Sequence, residues 1–328
     1  MSSGSSSKEK PEILIYGPAK PTIVEPLRDV FTLRFLETSR DIDRLPQTVA
    51  SKIRGVAVTG LVPVESDMLS HCPKVEIISS FGVGYDHVDV AYAREHGIIV
   101  TNTPAVLTEE TADAAIGLLI CTAREFVKAD RFVRTGEWLK KPYPLTRATL
   151  RDRTVGIVGM GRIGRAIARR LDAMRIPVVY HSRRPVEDVP YKYFGGLLDM
   201  AKAVSVLIVM TPGGLHTMKL INAEVMEALG PDGILINMSR GSVIDEKALV
   251  DALKNKKILA AGLDVFANEP HVPDELRSME NVVLLPHIGS ASVHTRAEMD
   301  RLVVENLKAW FAGRMALTPV PETPTKKR

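Results

Sequence analysis

Only two cysteines, Cys72 and Cys121, occur in 328 residues, and both sit in apolar stretches. That excludes a disulfide framework and points to a reducing compartment, with the thiols acting as small buried hydrophobes. No apolar run approaches the roughly 20 residues that a spanning helix needs, and MSSGSSSKEKPE at the N-terminus lacks the apolar core of a secretory signal. It reads as a disordered leader on a cytoplasmic protein with no membrane partner. Net charge is a mild +4, with arginines concentrated between residues 147 and 184. No zinc-finger, basic-zipper or RNA-recognition signature accompanies them, which argues against nucleic acid. A local anion site accounts for the cluster. His287 and His294 lack a third ligand at metal-site spacing, so no metal is expected. Ser239 lacks the GxSxG surroundings of a nucleophile and is expected to position backbone instead.

What is present is an alternation of short apolar runs with amphipathic stretches, in a chain long enough for two domains. EILIYG, LRFLE, GVAVTG, VEIISSFG and GIIVTN, between residues 12 and 102, read as strands at helical spacing, hence a parallel α/β sheet. Residues 105 to 134 predict one long helix with Thr108 as N-cap and acids in its first turn. A second series follows: TVGIVG, PVVYH, VSVLIVM, GILINMS, LAAGLDVF and VVLLPH. These six strands fit a dinucleotide-binding sheet. The fold class is therefore α/β, with two Rossmann-like, doubly wound parallel sheets. An amphipathic helix over about 293 to 312 comes last, and TPVPETPTKKR reads as a solvated tail.

Gly159-Met160-Gly161-Arg162-Ile163-Gly164 follows a strand and opens the helix RAIARRLDAM. The first glycine permits a tight turn, the second lets a pyrophosphate reach the backbone, the third allows close helix packing, and the helix N-terminus favours negative charge. At the end of the next strand a carboxylate would bind the ribose hydroxyls of NAD, but no acid lies between Asp172 and Glu187. Ser182, Arg183 and Arg184 stand there instead. A 2'-phosphate would be drawn to two guanidinium groups, so the expected cofactor is NADPH/NADP, with NADH less favoured.

Three further segments each put one unusual polar residue at a strand end: Arg240 in NMSRGSVIDE, Glu269 in LDVFANEP and His287 in LLPHIGSAS. In a doubly wound sheet such ends converge on the cofactor. Gly82, Val83 and Gly84 in SSFGVGYDHVD form a turn after a strand, whose N–H groups could cradle a carboxylate.

Over residues 12 to 315 these motifs, in this order, together with GIIVTNTPAVLTEETADAAIGL, resemble the D-isomer-specific 2-hydroxyacid dehydrogenase family. Within it the chain is most similar to NADPH-dependent glyoxylate/hydroxypyruvate reductases. The resemblance implies a discontinuous substrate domain, residues 1–104 completed by 293–328, around a dinucleotide-binding domain at 105–292. It implies that Arg240 binds the keto acid carboxylate and polarises its carbonyl, that His287 is the general acid, and that Glu269 orients His287 and favours its charged form. It further implies that Asp264 holds the nicotinamide carboxamide, that Thr108 and Met238 line that end of the cofactor, that Pro212 lies beneath the adenosine, and that Gly82, Val83 and Gly84 form the substrate loop. Met210 and GGLHT depart from the family pattern near Pro212, so His216 carries no role.

The implied reaction is reduction of a small 2-keto acid to the D-2-hydroxy acid. Thr59 stands where phosphoglycerate dehydrogenases typically carry an arginine, which argues against a phosphorylated substrate. Trp138, in a region that reaches a neighbouring subunit in similar reductases, implies a homodimer. Alternative activities are reduction of hydroxyphenylpyruvate or of a sugar-derived keto acid. A dinucleotide-sensing, corepressor-like protein is the alternative from another class.

Overall fold

The computed structural model describes residues 9–38, 41–42, 45–60 and 62–324. Within them the chain divides into two compact units. One comprises the residues up to Leu107 and those from Val293 onward, the other Thr108–Ser292.

In the first unit five apolar runs become parallel strands: β1 (Glu12–Tyr16), β2 (Thr32–Leu36), β3 (Ile53–Val58), β4 (Ile77–Ser80) and β5 (Ile99–Thr101), in the order β2-β1-β3-β4-β5. Every residue of β1 is buried, as expected where both faces of a parallel sheet are covered. Alternate side chains share a face, and Leu14, Tyr16, Val56, Val58, Ile78 and Val100 form one cluster. The helix Val293–Phe311 packs on β3 and β4. Gly55 permits that approach, since a Cβ there would stand 3.1 Å from Phe311 Cε2 and 3.3 Å from Leu307 Cδ2. Ser79 Oγ then donates to Val303 O at 3.1 Å.

The tail differs from expectation. Val320 N donates to Val100 O at 2.9 Å and Val100 N to Thr323 Oγ1 at 3.2 Å, with Ala316, Val320 and Thr323 all buried. The cause is the open edge of β5, whose unpaired backbone groups recruit a partner segment. The remaining tail residues, 325–328, and the leader at 1–8 lie outside the described residues.

The second unit holds seven parallel strands where the sequence predicts six: β6 (Val155–Val158), β7 (Val178–His181), β8 (Lys192–Phe194), β9 (Val206–Val209), β10 (Ile234–Asn237), β11 (Ala260–Leu263) and β12 (Val282–Leu284). Their order is β12-β11-β10-β9-β6-β7-β8. The extra strand, β8, is three residues at the sheet edge with no residue fully buried, too short to register as an apolar run. Val155, Ile157, Val206, Ile208, Ile234 and Ile236 pack on one face. Val158, Leu207, Val209, Leu235, Ala261 and Leu263 pack on the other.

The long helix expected over 105 to 134 is two helices, Thr108–Ala123 and Phe126–Arg134. Between them Glu125 takes φ +52°, turning the chain, and its carboxylate accepts Tyr143 Oη and Arg147 N, both at 3.3 Å. Half-buried along its length, the first helix contributes to the core, while the second buries none of its residues. Thr108 starts the first helix rather than capping it, because its hydroxyl makes no hydrogen bond. No helix among the described residues is long and apolar enough to cross a membrane.

Candidate active site

The glycine turn separates three physical roles. Gly159 takes φ +105°, and a Cβ on it would stand 2.7 Å from Met210 O; one on Gly164 would stand 2.2 Å from Gly159 O. Those two glycines let the turn form and let the helix Arg162–Ala173 sit against it. Gly161 differs, having nothing within 4 Å of its Cβ position. The backbone there is open beside a helix N-terminus, flanked by buried Met160, half-buried Ile163 and exposed Arg162. A pyrophosphate fits such a place, because unpaired N–H groups and the helix dipole both favour an anion.

At the end of β7 the turn is held by β8. His181 Nδ1 lies 2.8 Å from Phe194 O, and Tyr193 Oη donates to Ser182 O at 3.2 Å. Ser182 Oγ donates to Arg184 O at 2.5 Å, so its hydrogen is committed within the turn. Arg183 and Arg184 are exposed, and no ion pair holds either among the described residues. The arginine cluster as a whole is only partly an anion site. Arg153 Nη1 donates to Asp232 O at 2.8 Å, while Arg170 binds Glu109 and Asp113, each at 2.7 Å. Those guanidinium groups fasten structure, whereas Arg183 and Arg184 stand exposed beside the end of β7.

Three strand ends converge as the topology requires. Arg240 follows β10, Glu269 lies in the loop after β11, and His287 follows β12. Gly241 pins the first of these: a Cβ on it would overlap the backbone of Phe266, at 1.8 Å from its carbonyl carbon. Phe266 N in turn donates to Glu269 Oε1 at 3.0 Å, and Glu269 Oε2 stands 2.8 Å from His287 Nδ1. Burial pushes the Glu269 carboxyl up. The His287 and Phe266 hydrogen bonds, with the charges of His287 and Arg240, outweigh burial and hold it below its ordinary value. An ionised carboxylate can only accept, so Nδ1 carries the hydrogen. Nε2 then has no protein partner among the described residues. Ser239 Oγ donates to Thr211 O at 2.6 Å, a positioning bond rather than that of an activated nucleophile.

Asp264 organises the next turn. Its carbonyl accepts His287 N at 2.8 Å, and its carboxylate accepts Ile288 N at 2.7 Å and Gly289 N at 2.9 Å. His287 sits at φ +54°, a left-handed conformation that persists in a non-glycine residue only where neighbours impose it. Burial pushes the Asp264 carboxyl above its ordinary value, with the two N–H groups partly offsetting it. Met238 Cε and Asp264 Oδ2 lie 2.9 and 3.0 Å from the Cβ position of Gly289, and Thr111 Cγ2 lies 3.5 Å from it. One helical turn before Thr111, the buried hydroxyl of Thr108 has no hydrogen-bond partner. Buried polar groups are nearly always satisfied, and a polar group of a bound dinucleotide would satisfy this one. Pro212 is exposed, and its carbonyl accepts Thr217 Oγ1 at 2.7 Å.

In the first unit the Gly82–Gly84 turn follows β4. Gly82, at φ +127°, already donates its N–H to Thr103 Oγ1 at 3.0 Å. The N–H groups of Val83 and Gly84 have no protein acceptor among the described residues. The unused donors of the turn are therefore the N–H groups of Val83 and Gly84. Thr103 and Asn102, whose Nδ2 donates to Val83 O at 2.8 Å, support the turn. Their position at the C-terminal end of β5 was the available signal for both. Lys20 Nζ lies 3.1 Å from the centroid of the Phe81 ring and 3.3 Å from Asp300 Oδ1. Thr59 is buried, its hydroxyl donating to Pro18 O at 2.8 Å.

A sequence profile described as "D-isomer specific 2-hydroxyacid dehydrogenase, NAD binding domain" matches residues 116–289. The chain is 43% identical to glyoxylate/hydroxypyruvate reductase A of Arabidopsis thaliana over 94% of its own length and 98% of that protein's. It is 45% identical to hydroxyphenylpyruvate reductase of Plectranthus scutellarioides over 83% and 86% of the two chains. Among solved structures it resembles the NADPH-dependent glyoxylate/hydroxypyruvate reductase of Sinorhizobium meliloti in complex with NADP and malonate. The TM-score is 0.94 and the identity 49%, covering 98% of this chain and 99% of that one.

Proposed function

This chain belongs to the D-isomer specific 2-hydroxyacid dehydrogenases, and on that premise we propose that it reduces glyoxylate or hydroxypyruvate to the D-2-hydroxy acid with NADPH. The observation that carries the reading is the Glu269–His287 pair, 2.8 Å apart, with Arg240 close enough for its charge to act on the same carboxylate. When bound, the reduced nicotinamide supplies a hydride to the carbonyl carbon of the keto acid. His287 Nε2 hands a proton to the carbonyl oxygen, because Nδ1 is committed to Glu269. Glu269 stabilises the charged imidazole before transfer and fixes the ring. Arg240 engages the substrate carboxylate and polarises the carbonyl, a task suited to a planar donor fork that stays charged. Val83 and Gly84 offer N–H groups to the carboxylate.

The cofactor assignment rests on the glycine turn with its open Gly161, on Arg183 and Arg184 at the end of β7, and on the NADP-bound relative. Ser182 holds that turn, and Thr108, Met238, Asp264 and Pro212 line the dinucleotide. The small substrate is supported by the named reductases. Buried Thr59 and Asp300-paired Lys20 offer a phosphate nothing unspent.

A homodimer in the cytoplasm is part of the same reading. Helix Phe126–Arg134 buries no residue, and beyond it Trp138, Leu139 and Leu145 are 65, 93 and 96% exposed. An apolar arm of this kind calls for a covering partner, which a second copy provides. Two free cysteines suit a reducing compartment, and burial pushes the Cys72 thiol up to about 11.

The test is the initial rate of glyoxylate, hydroxypyruvate and phenylpyruvate reduction with NADPH and with NADH. Fast turnover of the first two with NADPH is expected. Binding of NADPH with no turnover of any keto acid would overturn the reading, and a monomer by light scattering would remove the dimer from it.

A further inference from the structure

The N–H groups of Val83 and Gly84 can serve a carboxylate only if the turn aims them, and that turn has little stiffness of its own. Glycines flank Val83 on both sides, and glycine leaves the backbone free to rotate. The peptide joining Val83 to Gly84 is planar, so whatever holds Val83 O also sets the direction of Gly84 N–H. Asn102 Nδ2 holds that oxygen at 2.8 Å.

Asn102 is itself held by the C-terminal segment. Thr318 Oγ1 donates to Asn102 O at 2.6 Å, and Asn102 N donates to Thr318 O at 3.2 Å. From the helix Val293–Phe311, Asn306 Nδ2 donates to Thr318 Oγ1 at 2.9 Å, and Asn306 Oδ1 accepts Leu317 N and Thr318 N at 2.9 and 3.1 Å. Its other amide hydrogen goes to Leu302 O at 2.8 Å. Asn306 is completely buried and every hydrogen-bonding site on its amide is used, the mark of a network that defines one arrangement. A second tie runs from Tyr85 Oη, one residue past the turn, to the Glu322 carboxylate at 3.1 Å. Burial and that carboxylate push the phenol up to about 12, so it stays a donor.

We propose that Thr318, acting through Asn102, and Glu322, acting through Tyr85, are positioning residues that hold the Val83–Gly84 peptide for the keto acid. The C-terminal segment thereby sets keto acid affinity without touching the substrate. This rests on the assignment of Val83 and Gly84 to the substrate carboxylate.

Thr318→Val removes the hydroxyl at nearly constant shape, and Thr318→Ser keeps it. Thr318→Val is expected to raise KM for glyoxylate roughly three- to tenfold, as for loss of one intramolecular hydrogen bond. KM for NADPH and kcat are expected to stay within about twofold, and Thr318→Ser to restore the wild-type KM. An unchanged glyoxylate KM overturns the inference. So does a rise in both KM values together with a lower melting temperature, which would mean general loosening. The underlying assignment is read separately from amide NMR of the wild type with NADP⁺ and glyoxylate. If the Val83 and Gly84 resonances do not move, the assignment falls and the inference with it. If they move while Thr318→Val leaves KM unchanged, the inference alone falls.

Discussion

Asp264 holds His287 in a left-handed conformation by accepting three consecutive backbone N–H groups, one at its carbonyl and two at its carboxylate. The side chain that would donate the catalytic proton is thus aimed by a neighbouring carboxylate and carbonyl that only accept. Asp264→Asn replaces one acceptor oxygen with an amide nitrogen, leaving one buried N–H facing a donor. The expected cost is about 1–3 kcal/mol in unfolding free energy, with a fall in kcat larger than that in cofactor affinity. Urea unfolding and steady-state kinetics on the same preparation check it.

Glu269 gives a pH prediction. Its carboxyl is held below the ordinary 4.5, so the stabilisation it brings is complete above that value and is lost as pH falls through the lowered one. The difference in unfolding free energy between wild type and Glu269→Gln is therefore expected to shrink as pH falls below about 4.5, which acid-range urea unfolding of both proteins checks. In catalysis the same substitution is expected to lower kcat, because His287 Nδ1 loses the carboxylate that fixes its ring. His287→Ala is expected to lower kcat by about 10²–10⁴, the usual contribution of a general acid.

Arg183 and Arg184 give a selectivity prediction. A hydrogen bond to a charged group contributes about 1.5–3 kcal/mol, and about 1.4 kcal/mol is tenfold. The Arg183→Ala, Arg184→Ala double variant should lose at least about tenfold in its preference for NADPH over NADH, mostly through KM for NADPH. An unchanged ratio would show that the turn after β7 does not select the cofactor.

The glycine turn predicts a contrast between two single substitutions. Gly164→Ala places a methyl group 2.2 Å from Gly159 O and is expected to destabilise the second unit, seen as a lower melting temperature. Gly161→Ala meets nothing within 4 Å. It is expected to leave melting unchanged while weakening NADPH binding, because the added methyl occupies the space of the pyrophosphate.

Much of this was legible in the chain. Eleven apolar runs were long enough to declare themselves, and glycine spacing located the nucleotide turn, because those signals are local. Arg240, Glu269 and His287 stand out as unusual polar residues at or just after strands, and it is the family resemblance that suggests roles for them. What brings them together was not legible: the close contact of Gly241 with Phe266, residues far apart in sequence, carries Arg240 to the loop in which Phe266 N donates to Glu269. β8 carries no apolar-run signal because it is only three residues long at the sheet edge, none of them fully buried. The docked tail was missed because TPVPETPT is polar and proline-rich, and only the open edge of β5 gives it a place. The break at Glu125 carried no glycine or proline to mark it.

The interrupted first unit sets an order of events during synthesis. The second unit is one contiguous stretch, Thr108–Ser292, whereas the sheet of the first cannot receive its covering helix until Val293–Phe311 has been made. At about 5–20 residues per second, the early strands wait about 10–40 s on the ribosome with the Gly55 face of the sheet bare. The unit whose strands are translated first is therefore the unit that is completed last, with its apolar sheet face open until the final helix arrives.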